Sequence, residues 1–353
     1  MAITFHPKDY FKTLTYTGNA GTNAITGVGF QPGFTWIKAR SRTDNHVIVD
    51  ALRGTNRIRA NTNNQEADIS GDGFTSLDSD GFTLNGSGGG GEVNANAATF
   101  VSWNWKGGTT SGIATNGSTT ITPSSYSFDQ ARGFSILKWT GNGVDGAKLA
   151  HGLGAAPQVI WLKTLTGGNE DWQCYWKSRG NQGRGFLSTN ANWQSSRGEW
   201  YSTTPDSVNI TLSNDSHINA NGYTYIIYAF RSINGFSACG RSYYGNGNAN
   251  GTFIYTGFKP GFLITKQTGS SNESWTIKDL NRLPSFNRND RQLFTDNTDA
   301  ENTSSDSGID LYSNGFKIRS SNGRVNTNGA DYVWIAFAQE GIVAPNKDVG
   351  TAI

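Results

Sequence analysis

NANAATFVSWNWK (94–106), NANGYTYIIYAFR (219–231) and NTNGADYVWIAFA (326–338) are three spellings of one phrase, and their alternation decides the fold class. Successive side chains of a strand point to opposite faces, so Val101, Trp103 and Trp105 share one face. Ile226, Tyr228 and Phe230 hold those places in the second copy, and Val333, Ile335 and Phe337 in the third. So large an apolar set predicts a core, at about 1.5–3 kcal/mol for each large side chain buried. The positions between them, such as Ser102, Asn104, Ala229 and Ala336, are small or mixed, which predicts a central strand covered on both sides. The Asn-x-Asn that opens each phrase (Asn94/Asn96, Asn219/Asn221, Asn326/Asn328) suits a pinned tight turn.

Other landmarks keep step with this one. GVGFQPGFTWIK (27–38), GLGAAPQVIWLK (152–163) and GFKPGFLITK (257–266) each set a proline before a short apolar run that ends on lysine. Proline fixes φ and lacks a donor, so it suits the opening of a strand and not its middle. Lys38, Lys163 and Lys266 are expected where the strand emerges into water. YTGN, WTGN and YYGN begin at Tyr16, Trp139 and Tyr243, and DALRG, WKSRG and KDLNR at Asp50, Trp176 and Lys278. SDGFTL at Ser79 returns as SNGFKI at Ser313 and is blurred in the middle copy. Landmarks in one order across three copies identify an internal repeat.

The expectation is an all-β chain of three tandem antiparallel β-sandwich (jelly-roll-like) units, with short strands set off by Gly, Asn and Pro. The units occupy residues 1–106, 133–231 and 232–341. A Ser/Thr/Gly-rich connector spans 107–132, and a C-terminal tail spans 342–353. The short second junction predicts that units two and three pack as a rigid pair.

Among 353 residues, 29 basic and 27 acidic side chains leave a net charge of +2, which argues against nucleic acid as a partner. Arg40, Arg42, Arg53, Arg57 and Arg59 cluster locally, but Asp44 and Asp50 lie among them, so a solvated face is expected. Cys174 and Cys239 are the only cysteines and fall in different repeats, which reads as two reduced, buried thiols. No stretch has the apolar length of a signal peptide or a membrane span, so a chain made in the cytoplasm, without membrane insertion, is expected.

Catalytic patterns are sparse. His6, His46, His151 and His217 stand in different local settings, and none makes a metal-ligand spacing with another His or Cys. The glutamates are isolated and none recurs at one repeat position in all three units, whereas polysaccharide cleavage needs paired acids facing across a cleft. The run Gly88–Gly91 reads as a flexible loop and not as a nucleotide site. No enzyme and no cofactor are therefore expected. The acidic stretch 296–310 offers Asp296, Asp299, Asp306 and Asp310 as oxygen ligands for Ca²⁺, but without a regular ligand spacing, so a solvated loop is the reading. Unit two has a Trp-rich insert, and Trp172, Trp176, Trp193, Trp200 and Tyr201 are the binding candidates. They suit either a stacking platform for glycan or protein, or the filling of an inter-unit or subunit interface.

Taken together, DYFKTLTYTGN, ITGVGFQPGFTWIK, VNANAATFVSWNWKGG, GTFIYTGFKPGFLITK and YVWIAFA resemble a family of structural proteins of marine bacteriophages, especially those of cyanobacteria. The resemblance runs from about residue 8 to residue 341 and is weakest in the Trp-rich insert. It implies a virion location, other virion proteins as partners, and a tail or fibre role in host attachment, with a trimer if the protein forms a fibre. Capsid decoration or a head fibre is the alternative, and a glycan-binding or polysaccharide-degrading module the second. No catalytic residues come with the resemblance.

Overall fold

The computed structural model describes residues 5–86, 91–195, 198–200, 202–269, 272–282, 288–343 and 349–350. The chain is all-β, and the strands named below pair antiparallel. Unit one sets the pattern. Its strands are β1 (Phe11–Thr17), β2 (Asn23–Thr26), β3 (Pro32–Ala39), β4 (Val47–Asp50), β5 (Asn56–Arg59), β6 (Ala67–Asp68), β7 (Phe74–Asp78), β8 (Gly81–Leu84) and β9 (Thr99–Lys106). An inner sheet has the order β1-β9-β3-β4-β5-β6, and a small outer sheet the order β2-β8-β7. The closing strand β9 is thus central, as its pattern predicts.

Unit three repeats both sheets. Asp331–Ala338 lies between Ser237–Tyr244 and Pro260–Gln267, and the outer sheet orders Phe253–Tyr255, Gly315–Ile318, Ile309–Tyr312 and Arg288–Asn289. In unit two the closing strand Thr224–Phe230 lies between Phe134–Thr140 and Val159–Thr166, and the outer sheet is a pair, Ala147–Ala150 with Asn209–Leu212. The stretch read as a connector is ordered here. Ser125–Asp129 joins the inner sheet of unit two beside Phe134–Thr140. Ile121 bridges Leu149 in parallel on the outer sheet.

The repeated phrases are local joints. Each first Asn is fully buried and clamps the YTGN-type loop. Asn94 Oδ1 accepts from Asn19 N–H while its Nδ2 donates to the Gly21 carbonyl. Asn219 does the same with Asn142 and Val144, and Asn326 with Asn246 and Asn248. The glycine of that loop is obligatory because the chains nearly touch. A Cβ at Gly18, Gly141 or Gly245 would sit 2.2, 2.2 or 2.3 Å from the carbonyl oxygen of Ala95, Ala220 or Thr327. Beside it, Tyr16 stacks on Phe100, Trp139 on Tyr225 and Tyr243 on Tyr332, with centroids 5.2, 5.2 and 4.9 Å apart.

Packing departs from three independent sandwiches. The positions between the large apolar ones, such as Phe100, Ile227 and Trp334, line a separate core within each unit. The large apolar face itself turns the other way. Val101, Trp103, Trp105, Ile226, Tyr228, Phe230, Val333, Ile335 and Phe337 belong to one continuous core shared by all three units. The equivalent residues Trp105, Phe230 and Phe337 meet pairwise at 6.4, 5.3 and 5.6 Å and mark a pseudo-threefold axis. The ring closes where the chain ends meet. Gln339 Oε1 accepts from Thr13 N–H, and Asn281 Nδ2 donates to the Thr13 carbonyl. No helix among the described residues is long and apolar enough to cross a membrane.

Candidate functional site

The lysines expected in water are buried, with 0, 0 and 1% of Lys38, Lys163 and Lys266 exposed. Each reaches the neighbouring unit. Lys38 Nζ donates to the Thr298 carbonyl at 3.2 Å, Lys163 Nζ to Asn63 at 3.0 Å and Lys266 Nζ to Asn190 at 2.9 Å. One contact is thus used three times around a ring, from unit one to three, two to one, and three to two. Burial lowers each ammonium to a pKa of about 8. Three equivalent main-chain bonds follow the same ring, from the amides of Glu66, Trp193 and Glu301 to the carbonyls of Leu165, Thr268 and Arg40. A strand that ends on Lys reads as surface because sequence carries no sign of a carbonyl brought up from another unit.

The next ring of contacts has diverged. In unit one, Asp50 pairs with Arg53 at 2.7 Å, both side chains wholly buried, and accepts from the Tyr228 hydroxyl of unit two. In unit three, Asp279 pairs with Arg282 at 2.6 Å and accepts from Trp103 Nε1 of unit one. The place of Tyr228 and Trp103 is taken in unit three by Ile335, which offers no donor. The matching place in unit two is Trp176, not Asp, and it lies against Trp275 of unit three. An acid stands where the neighbour supplies a donor, and an indole where it does not. A buried carboxylate without a partner is costly, so the two positions have to change together.

A third ring opens sideways, between the inner sheet and the turn that carries the buried Asn. Here Glu92, His217 and Arg324 hold the same position in units one, two and three. Glu92 takes Arg57 and Arg59 at 3.3 and 2.6 Å, beside a recess of about 210 Å³ that Val47, Ile69 and Asp72 also line. Arg324 lies 3.9 Å from Glu273 and over the Phe294 ring. His217 is held by Asp215 on Nδ1 and by Glu170, 3.0 Å away, on Nε2. The Asp215 hydrogen bond is the main cause that raises the His217 pKa, against burial. Nearby, Arg184 donates to Gln173 and pairs at 2.6 Å with buried Glu199. This cluster can hold a proton between two carboxylates. Sequence spacing carries no hint of it, because Glu170 and His217 lie 47 residues apart in the chain.

The Trp candidates are not a platform. Trp172, Trp176 and Trp200 are fully buried, and Trp193 packs against the shared core. Trp172 Nε1 donates to the Arg59 carbonyl of unit one, as Trp275 does to Phe186 of unit two. Trp172, Trp176 and Trp193 fill an inter-unit joint, the other reading open to the insert, while Trp200 lies in the core of unit two against Tyr175. Tyr201 lies outside the described residues, as do Gly88–Gly90.

The acidic candidates also disperse. Asp296 accepts from Ser274 and the Trp275 amide, Asp299 from Asn297, and Asp310 pairs with Arg319, while Asp306 is joined to none of them. Among the described residues no group of three His, Cys, Asp or Glu is placed to hold a metal. His151 is a satisfied core residue, accepting from Leu153 N–H and facing the Asp206 carbonyl. Cys174 and Cys239 are free and buried. The arginines read as a solvated face are ion-paired, Arg40 to Glu301, Arg42 to Asp44, and Arg53 inside the core.

No curated protein and no solved structure matches the chain. One family does, over residues 6–341, and so takes in all three units as one domain. The chain belongs to the family described as a domain of unknown function (DUF7483).

Proposed function

We propose that the protein is a non-enzymatic structural component of a tailed bacteriophage virion, a tail or fibre protein that contributes to host attachment. The observation that carries this reading is the shared aromatic core, which makes three repeats into one closed body. Polar groups at the joints are spent on holding units together, as Lys38, Lys163, Lys266 and the Asp50–Arg53 pair illustrate. A body of this kind works by presenting surface. Its other partners are virion proteins and, at the host, a surface glycan or protein.

The alternative placement is capsid decoration or a head fibre. It is favoured by the threefold axis, which one chain supplies unaided and which could seat on a threefold site. Immuno-electron microscopy of particles separates the two placements. Label on the tail supports the first and label on the head the second, and particles without label overturn both. Release of reducing ends from cell-envelope polysaccharide by the purified chain would overturn the non-enzymatic reading.

A further inference from the structure

Equivalent positions of the outer sheets differ in one respect that none of the contacts above explains. Among the described residues the exposed large hydrophobics are Val144 and four aromatics, Tyr244, Phe253, Tyr255 and Tyr312, all in unit three. Register fixes their counterparts. Ile254 faces Phe316 as Ile25 faces Phe82, so Phe253 and Tyr255 stand where unit one has Ala24 and Thr26. Tyr312 stands where unit one has Asp78, and Tyr244 where it has Thr17. The rings of Phe253 and Tyr312 lie 6.0 Å apart, and Phe253 reaches over Gly315, where a Cβ would be 2.8 Å from its ring.

Phe253–Tyr255 is also an edge strand. Thr252 and Thr256 bond inward to Ile318 and Asn314, so by alternation Ile254 bonds inward too. The N–H and C=O of Phe253 and Tyr255 therefore face the open edge. The homologous edge in unit two is closed by the chain itself. Ile121 N–H donates to the Lys148 carbonyl, and Ala150 N–H donates to the Ile121 carbonyl. Lys148 and Ala150 are the counterparts of Phe253 and Tyr255. This edge is therefore built to accept a strand, and in unit three nothing from the described chain fills it.

We infer that Phe253–Tyr255 pairs with the same strand of a second copy. Antiparallel pairing centred on Ile254 sets Phe253 opposite Tyr255 of the partner, twice, joining the free main-chain groups of both edges. It also makes two cross-strand aromatic pairs, which stabilise such a ladder. The flanking charges are already paired within each copy, Asp310 with Arg319 and across from Lys317, so no like charges are forced together. The neighbouring Tyr312 and Tyr244 widen the contact. Edge strands in monomers are normally guarded by charge or proline, and this one has neither.

Sedimentation velocity of the full chain over a wide range of concentration tests the inference. A reversible dimer is expected, and Tyr255→Pro, which removes one edge donor, abolishes it, as does Phe253→Lys combined with Tyr255→Lys. Thr26→Pro at the equivalent edge of unit one leaves the dimer intact, and unchanged near-ultraviolet circular dichroism shows that each variant is folded. A chain that stays monomeric at every concentration overturns the inference. A dimer that survives both unit-three variants does so as well. A monomer retarded in gels of soluble neutral β-glucan also overturns it, and assigns the aromatic face to sugar. None of these outcomes depends on where the protein sits in a virion.

Discussion

At the axis the three units present Trp105, Phe230 and Phe337, all aromatic and all buried, whereas the outer edges present Ala24, Lys148 and Phe253. The inner positions share a single environment, because each faces the other two. A change there has to fit two neighbours at once, which keeps shape and volume nearly constant. The outer positions have separate surroundings and have gone separate ways: a bare polar edge, an edge closed by residues 120–121, and an aromatic edge. Between these extremes lie the interface rings, where the lysine contact is kept three times and the Asp50, Trp176 and Asp279 contacts have diverged in matched pairs.

The strongest way to break this comparison is to remove the neighbours. Residues 11–106 expressed alone expose Trp36, Trp103 and Trp105 to water and should not fold as a soluble monomer, while the full chain unfolds in one cooperative urea transition. A folded monomeric fragment would mean that the shared core is dispensable. Next in size, Phe230→Ala or Phe337→Ala should destabilise by about 3–5 kcal/mol, as for other buried aromatics, against about 0.5 kcal/mol or less for Tyr312→Ala on the surface. Equal effects would erase the distinction between inner and outer faces. Asp50→Ala leaves buried Arg53 with Glu66, 3.7 Å away, as its charged partner and should cost about 3 kcal/mol by chemical denaturation. Adding Arg53→Met, which takes away the buried charge as well, should recover part of that loss.

The lysine ring gives a smaller effect with a definite sign. Each ammonium titrates at about 8 in the folded chain against 10.5 in the unfolded one, so between those values the unfolded chain binds more protons. Stability should therefore rise as pH goes from about 8 toward 10. Burial raises the pKa of Tyr16, Tyr228 and Tyr243, so the unfolded chain loses their protons first, and stability should fall above about 10. Changing all three lysines to Met should remove the rise and keep the fall; a rise that persists points to other groups. Smallest is His217, whose raised pKa makes its contribution complete below about 6.5 and lost as pH climbs through the folded value. His217→Gln should change stability by about 0.5 kcal/mol or less near neutral pH and abolish that loss.

Much of this was legible in the residues. The closing phrases specify a central strand, and Asn94, Asn219 and Asn326 pin their loops as their type suggests. Alternation tells which side chains share a face but not what the face meets. Trp103 and Tyr228 could as well have faced a partner within their own sandwich. Lys38 was placed in water for the same reason, since its partner, Thr298, belongs to another unit and carries no mark in sequence. The proton-holding cluster around His217 was hidden because Glu170 is 47 residues away along the chain from His217.

The closure of the ring by Thr13, Asn281 and Gln339 has a further consequence. In a trimer of identical chains every mutation arrives three times, so an acid that finds a hydroxyl at one joint must also find one at the other two. Here the three joints are encoded separately. Tyr228 can serve Asp50 while Ile335 faces no acid at all, and a fourth aromatic on the rim of unit three does not oblige units one and two to carry it. The geometry stays symmetric while the chemistry at each position is free to be unique.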